Sequence, residues 1–237
     1  MRLATSRHFD DFIGAQAIPL TASDTAAPWA KKLTKTAGSP TLAGLSGGQH
    51  CVEAALDATN EVQAATLYHG DVLSILMDNV QSVAFRLRTN NGGSTPIAVN
   101  QVLWAGLMSA ENDAPESASK YCGFRVDGAN TPTNVIAVDA KDGTNATLND
   151  QQSPLLLPDA TWLDFVIDFA NGLGDVRFFA GDSNRNGRLT RILPTTTFNL
   201  AALTGQYLQF VFQLAKASGT GAPKADLDYV ELLYKRS

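Results

Sequence analysis

The chain has 237 residues, 44% hydrophobic and 17% charged, enough for one large domain whose core needs no metal or disulfide staple. Its 18 basic and 23 acidic residues leave a net charge of −5, and the basic ones are scattered rather than striped, which excludes nucleic acid as a partner. No run approaches the ~20 apolar residues of a membrane-spanning helix, and Met1 to Phe12 holds Arg2, Arg7, His8, Asp10 and Asp11 where a signal peptide needs an unbroken apolar stretch. The expectation is a protein made in the cytoplasm, with no signal peptide and no membrane partner.

In chain order, residues 1–27 read as an N-terminal arm or loop, because Ala15 to Ala27 is small, polar and unpatterned. Residues 28–237 read as a single domain. Phe9 to Ile13, Trp29 to Thr34, Cys51 to Leu56 and Gln63 to His69 are short strand candidates, although the Ala-rich stretch Glu53 to Ala65 leaves helix open. Val83, Phe85 and Leu87 then alternate with Arg86 and Arg88, as in an antiparallel strand with one wet face. Further candidates are Val99 to Ser109, Tyr121 to Val126 and Asn134 to Asp139. Leu163, Phe165, Ile167 and Phe169 share one strand face and Asp164 and Asp168 the other. Val176, Phe178 and Ala180 alternate with Arg177, and Leu208, Phe210, Phe212 and Leu214 alternate with Gln209 and Gln213. Leu227 to Tyr234 closes the series. Asn91-Gly92, Asp127-Gly128, Asp142-Gly143, Asn171-Gly172 and Asn186-Gly187 punctuate it with turn chemistry, and helix is confined to one short turn near Asn199 to Thr204. The pattern predicts an all-β, antiparallel β-sandwich with little helix. Ser109 to Ser119 and Gly219 to Pro223 are surface loops by composition.

Each motif that suggests chemistry lacks a necessary partner. Gly44-Leu45-Ser46-Gly47-Gly48 matches a nucleophile elbow, but no histidine follows His69 to serve as base. Three histidines and the isolated Cys51 and Cys122 show no zinc spacing, and the two cysteines read as buried thiols. Asp182, Asn184 and Asn186 resemble the oxygen ligands that open a calcium loop. The closing Glu is replaced by Leu193, and Arg185 adds a positive charge, so a hairpin loop is expected instead. Asp226, Asp228 and Glu231 form a spaced acidic cluster like those of some sandwich glycosidases, but a regular strand turns Glu231 away unless a bulge returns it. The simpler expectation is a terminal edge strand with solvated acids. No catalytic residue, metal or cofactor is therefore assigned. The three tryptophans Trp29, Trp104 and Trp162 are core candidates with one exception: Trp162 falls on the polar face of Asp164 and Asp168, a combination that suits a glycan or a protein interface.

The order Phe9-Asp10-Asp11-Phe12, Trp29, Gly47-Gly48, Ala105-Gly106-Leu107, Phe124-Arg125-Val126-Asp127-Gly128 and Asp226-Leu227-Asp228-Tyr229-Val230 resembles virion structural proteins of tailed bacteriophages with a concanavalin A-like jelly-roll sandwich. What the resemblance implies is a non-enzymatic virion component assembled in the host cytoplasm. The leading form is a homo-oligomeric capsid decoration or cement protein whose partner is the major capsid protein or another virion protein. The alternative is a tail fibre or other sandwich that binds, or cleaves, glycans. No functional residue transfers with the resemblance.

Overall fold

In a computed structural model, the described residues are 5–10, 29–45, 50–72, 74–92, 97–145, 147–182 and 188–235. Sixteen strands are found among them, in two antiparallel sheets. Sheet I orders its strands as β14 (Thr190–Ile192), β13 (Arg177–Asp182), β12 (Leu163–Asp168), β7 (Val80–Thr89), β16 (Lys224–Lys235), β4 (Cys51–Ala55) and β3 (Thr41–Leu45). The strand β1 (Thr5–Asp10) lies beyond β4 along the same edge of β16, pairing Asp10 with Val230 and Thr5 with Lys235. Sheet II runs β11 (Leu148–Leu156), β10 (Val135–Lys141), β9 (Tyr121–Asp127), β8 (Gln101–Met108), β15 (Tyr207–Lys216), β5 (Gln63–Tyr68) and β2 (Ala30–Lys35). The two-residue β6 (Ile75–Leu76) extends the β5 edge of β15. The described helix is limited to three single 3₁₀ turns, one at Ala201–Leu203, whose first N–H is capped by the Asn199 side chain.

Alternation fixes which residues meet between the sheets. Phe85, Phe165 and Phe178 from sheet I interlock with Phe124 and Phe210 from sheet II: Phe85 stacks on Phe165 at 5.4 Å, and Phe124 meets Phe165 edge-on at 4.9 Å. Phe178 extends the chain to Phe198, and Phe210 extends it to Trp29. Such pairs add about 0.5–1.5 kcal/mol each beyond area burial, so this aromatic spine locks the register of one sheet against the other. All these rings are buried.

The expected sandwich is thus present, with three differences. Glu53 to Ala65 holds no described helix; it contributes to β4 and β5. The C-terminal β16 is an interior strand between β7 and the β4/β1 edge, where a terminal edge strand was expected. Its ladder to β7 shifts register between Leu227 and Tyr229, a bulge that leaves Leu227 and Val230 in the core while Asp226 and Glu231 share the outer face. The stretch Ala15 to Ala27, Ser46 to Gly48, and Asn184 and Asn186 of the calcium-like loop lie outside the described residues. Asp182, the last residue of β13, is described.

Candidate functional site

The two outer faces of the sandwich are built differently. On sheet I the outer face is a ladder of charge pairs across neighbouring strands. Arg86 donates from Nε to Asp164 Oδ1 at 2.8 Å and lies 3.2 Å from Asp228 through Nη1, while the Tyr229 hydroxyl donates to the same Asp164 oxygen. Arg88 binds Asp226 at 2.7 Å and lies 4.4 Å from the centre of the Trp162 ring. Asp168 accepts the Ala170 N–H and so caps its own turn.

Trp162, Asp164 and Asp168 do lie on β12 and its approach, but each is engaged separately, Trp162 by Arg88, Asp164 by Arg86 and Tyr229, and Asp168 by the Ala170 N–H, and they form no described cleft. Trp162 is half-buried beneath Arg88, not the exposed platform expected from parity alone. The acidic cluster is likewise not solvated: Asp226 is fully buried, and its burial pushes the carboxyl above the usual carboxylate range against the pull of Arg88. The bulge does bring Glu231 onto the face of Asp226 and Asp228. There it pairs with Arg7 at 2.6 Å. A cluster tied to three arginines offers no free acid and base for glycoside hydrolysis.

Sheet II has the cleft. Residues 109–119, expected as a surface loop, fold back over its outer face. Ala118 packs with Trp104, Met108, Tyr121 and Val211 in a second small apolar cluster, apart from the core between the sheets. Beside that cluster opens a cleft of about 490 Å³, floored by β2, β5, β8, β9, β10 and β15 and roofed by Asp113 to Glu116. Gly123 makes the floor possible. A Cβ there would stand 2.7 Å from Trp104 Cζ2 and 2.6 Å from the Ala105 carbonyl oxygen, so only hydrogen lets the indole lie across β9.

Arg125 is the centre of the cleft. Its guanidinium binds Asp127 on its own strand and Glu116 in the roof, and its Nη1 stands 3.8 Å from Asp139 Oδ2 on β10. Asp139 is fully buried and accepts the Asp150 N–H through Oδ1 at 2.7 Å; desolvation raises its pKa. Gln213 donates to the Thr66 hydroxyl and to the Asn112 carbonyl, both at 3.0 Å, which fixes its amide against β5 and the roof.

Four buried atoms of these lining residues have no hydrogen-bond partner: Trp104 Nε1, Arg125 Nε, Asp139 Oδ2 and Gln213 Oε1. A buried polar group without a hydrogen bond costs about 1–3 kcal/mol, so these four atoms are the ones in the lining with most to gain from a partner. None of these residues was singled out from the sequence as functional.

A smaller cleft of about 200 Å³, beside Asp78 and Phe169, lies elsewhere among the described residues. Among the described residues, no group of three or more His, Cys, Asp and Glu is placed to hold a metal ion. Cys51 and Cys122 are buried and unpaired, and burial pushes both thiols up to about 12, which leaves them unreactive. No described helix is long and apolar enough to cross a membrane.

No family model matches the chain, and no curated protein does. Solved structures match over nearly its whole length. A protein of unknown function, SO2946 from Shewanella oneidensis MR-1, superposes with a TM-score of 0.54 at 14% identity, over 99% of this chain and 89% of that one. Peanut lectin gives 0.56 at 10% identity, over 98% and 97%. A structure from work on endo-acting O-glycanases by which human gut microbes initiate mucin breakdown gives 0.56 at 12%, over 97% and 99%. Sheet order, core and superposition together define the class: a concanavalin A- and legume-lectin-like jelly-roll sandwich. At these identities the likeness is one of fold.

Proposed function

We propose that this chain is a non-enzymatic, glycan-binding sandwich carried on a tailed-phage particle, as a tail-fibre or other surface component. The observation that supports it best is the cleft on sheet II, where two donors and two acceptors lack a hydrogen bond beside an apolar floor. Sugar hydroxyls both donate and accept, and a pyranose ring presents an apolar C–H face, so a sugar answers both features. Binding is favoured over cleavage because three of the four lining carboxylates are already committed, Glu116 and Asp127 to Arg125 and Asp113 to Lys32 and Thr34, which leaves a single residue, Asp139, with a buried carboxylate oxygen, Oδ2, that lacks a hydrogen bond. A hydrolase needs one carboxyl free to donate a proton and a second free to attack or activate water. The match to a lectin and to an O-glycanase structure supports the same class, and the phage setting rests on the resemblance in the sequence. Screening the purified chain on a glycan array, followed by calorimetry with Asp139→Asn, tests the proposal. Binding lost at least tenfold in the variant is expected; no binding to any glycan, or no hydrolysis-independent binding, would overturn it.

A second reading, a capsid decoration protein gripping the major capsid protein, is favoured by the other face. The outer face of sheet I is a broad array of paired charges and half-buried aromatics, the chemistry of a wet protein contact. Stoichiometric co-purification with a shell protein, lost on charge reversal at Arg86 and unaffected by Asp139→Asn, would establish it.

A further inference from the structure

Resting on the glycan-binding reading, we propose that the cleft on sheet II selects uncharged, hydroxyl-rich sugars and turns away acidic ones. Four carboxylates line it, Asp113, Glu116, Asp127 and Asp139, against two cations, Arg125 and Lys216. Neither cation is available to an incoming anion. The Lys216 ammonium donates to four backbone carbonyls, those of Asp57, Thr59, Gly219 and Gly221, and so faces the end of the sandwich. The Arg125 guanidinium has Glu116 on one terminal nitrogen and Asp127 on the other, with only its Nε unpartnered. A bidentate grip on a carboxylate or sulfate, the usual way arginine recognises such a group, is therefore occupied from within. What remains without a hydrogen bond is one N–H each on Arg125 and Trp104 and the acceptors Gln213 Oε1 and Asp139 Oδ2, the last 3.8 Å from Arg125 Nη1, all four atoms buried at the back of the lining. Acceptors can be satisfied only by donors. A ligand hydroxyl meets that demand, whereas a carboxylate or sulfate oxygen brings a negative charge to a face already in excess of acid, inside a partly enclosed space where screening is weak.

The experiment compares matched probes: neutral galactose- and glucose-based tetrasaccharides and their uronic-acid, sialylated and sulfated counterparts, each titrated at low and high salt. The expected result is at least tenfold tighter binding of the neutral member of each pair, with the gap closing as salt rises. Glu116→Gln, whose fold is checked by its melting curve, removes one of the two negative charges held on Arg125 and is expected to narrow the gap by improving the acidic member. Equal or tighter binding of the acidic probes, still sensitive to Asp139→Asn, would overturn the selectivity while leaving glycan binding in place. Failure of every probe in both series would remove the glycan reading itself and the selectivity with it.

Discussion

Lys216→Met tests how the open end of the sandwich is held. The alternation that sends Leu208, Phe210, Phe212 and Leu214 inward sends Lys216 inward too, at the last residue of β15 and 3% exposed. Its Nζ reaches the carbonyls of Asp57 and Thr59 at 2.5 and 2.7 Å and those of Gly219 and Gly221 at 3.2 Å. One ammonium thus ties the β4–β5 turn to the β15–β16 loop. Methionine keeps most of the apolar stem and removes every donor. A hydrogen bond from a charged donor contributes about 1.5–3 kcal/mol, and four carbonyls share three protons here. Water reaches part of both loops once the ammonium is gone, so the net loss is expected to be about 3 kcal/mol, well below the simple sum. For a chain of this length that is about 6–12 °C in melting temperature. Urea unfolding followed by tryptophan fluorescence measures it, with an unchanged denaturant slope showing that only stability moved. A loss under about 1 kcal/mol would refute the idea that the carbonyl cage organises these loops.

Phe210→Ala removes a fully buried ring that meets Phe85 at 5.3 Å and Trp29 at 6.1 Å, and should cost about 3–5 kcal/mol by denaturant titration. Gly123→Ala pushes a methyl against Trp104 and the Ala105 carbonyl and should cost about 1–3 kcal/mol, with glycan affinity falling alongside as the cleft floor shifts. Asp139 and Asp226 both have carboxyl pKa values raised from the ordinary 3.8, chiefly by desolvation. The folded chain therefore keeps a proton that the unfolded chain has released, and the contribution of these two groups to stability falls as pH climbs from about 4 through their raised values. Melting curves across that range should flatten in the Asp139→Asn and Asp226→Asn double variant; an unchanged slope would contradict the burial argument.

The strands of the two sheets were legible wherever one face is polar. β12 alternates cleanly because Asp164 marks a partly exposed outer side against Phe165; β15 alternates in type without a wet face, because its outer residues Gln209 and Gln213 are polar although buried. β11 was not legible. Its middle reads Asn149, Asp150, Gln151, Gln152, Ser153 and Pro154, a polar run that forms a strand because it sits at the edge of sheet II, where proline and unpaired groups are tolerated. The bulge in β16 escaped for a related reason. Period counting assumes an unbroken ladder, and the extra residue at Asp228 changes parity without leaving a glycine or proline to announce it.

The cleft had a signal of another kind, visible in the strands that failed to alternate. Val102 to Met108 and Val135 to Ala140 are nearly continuous apolar runs, which on a two-sheet sandwich means that the second face is covered as well. On sheet I the outer residues are charged because solvent or a pairing side chain receives them: Arg86 and Arg88 stand across from Asp164 and Asp226. On sheet II the outer residues are mostly Val, Ala, Gly, Trp, Met and Tyr, because the segment after β8 returns to cover them. A single Asp139 inside such a run cannot be explained by solvent. It is retained where burial penalises its charge, beside an arginine held by two other carboxylates and a glutamine fixed by two donated hydrogen bonds. What holds Asp139 there is the Asp150 N–H on Oδ1 and the Arg125 guanidinium 3.8 Å from Oδ2, a polar group kept inside an apolar run by partners from two other chain segments.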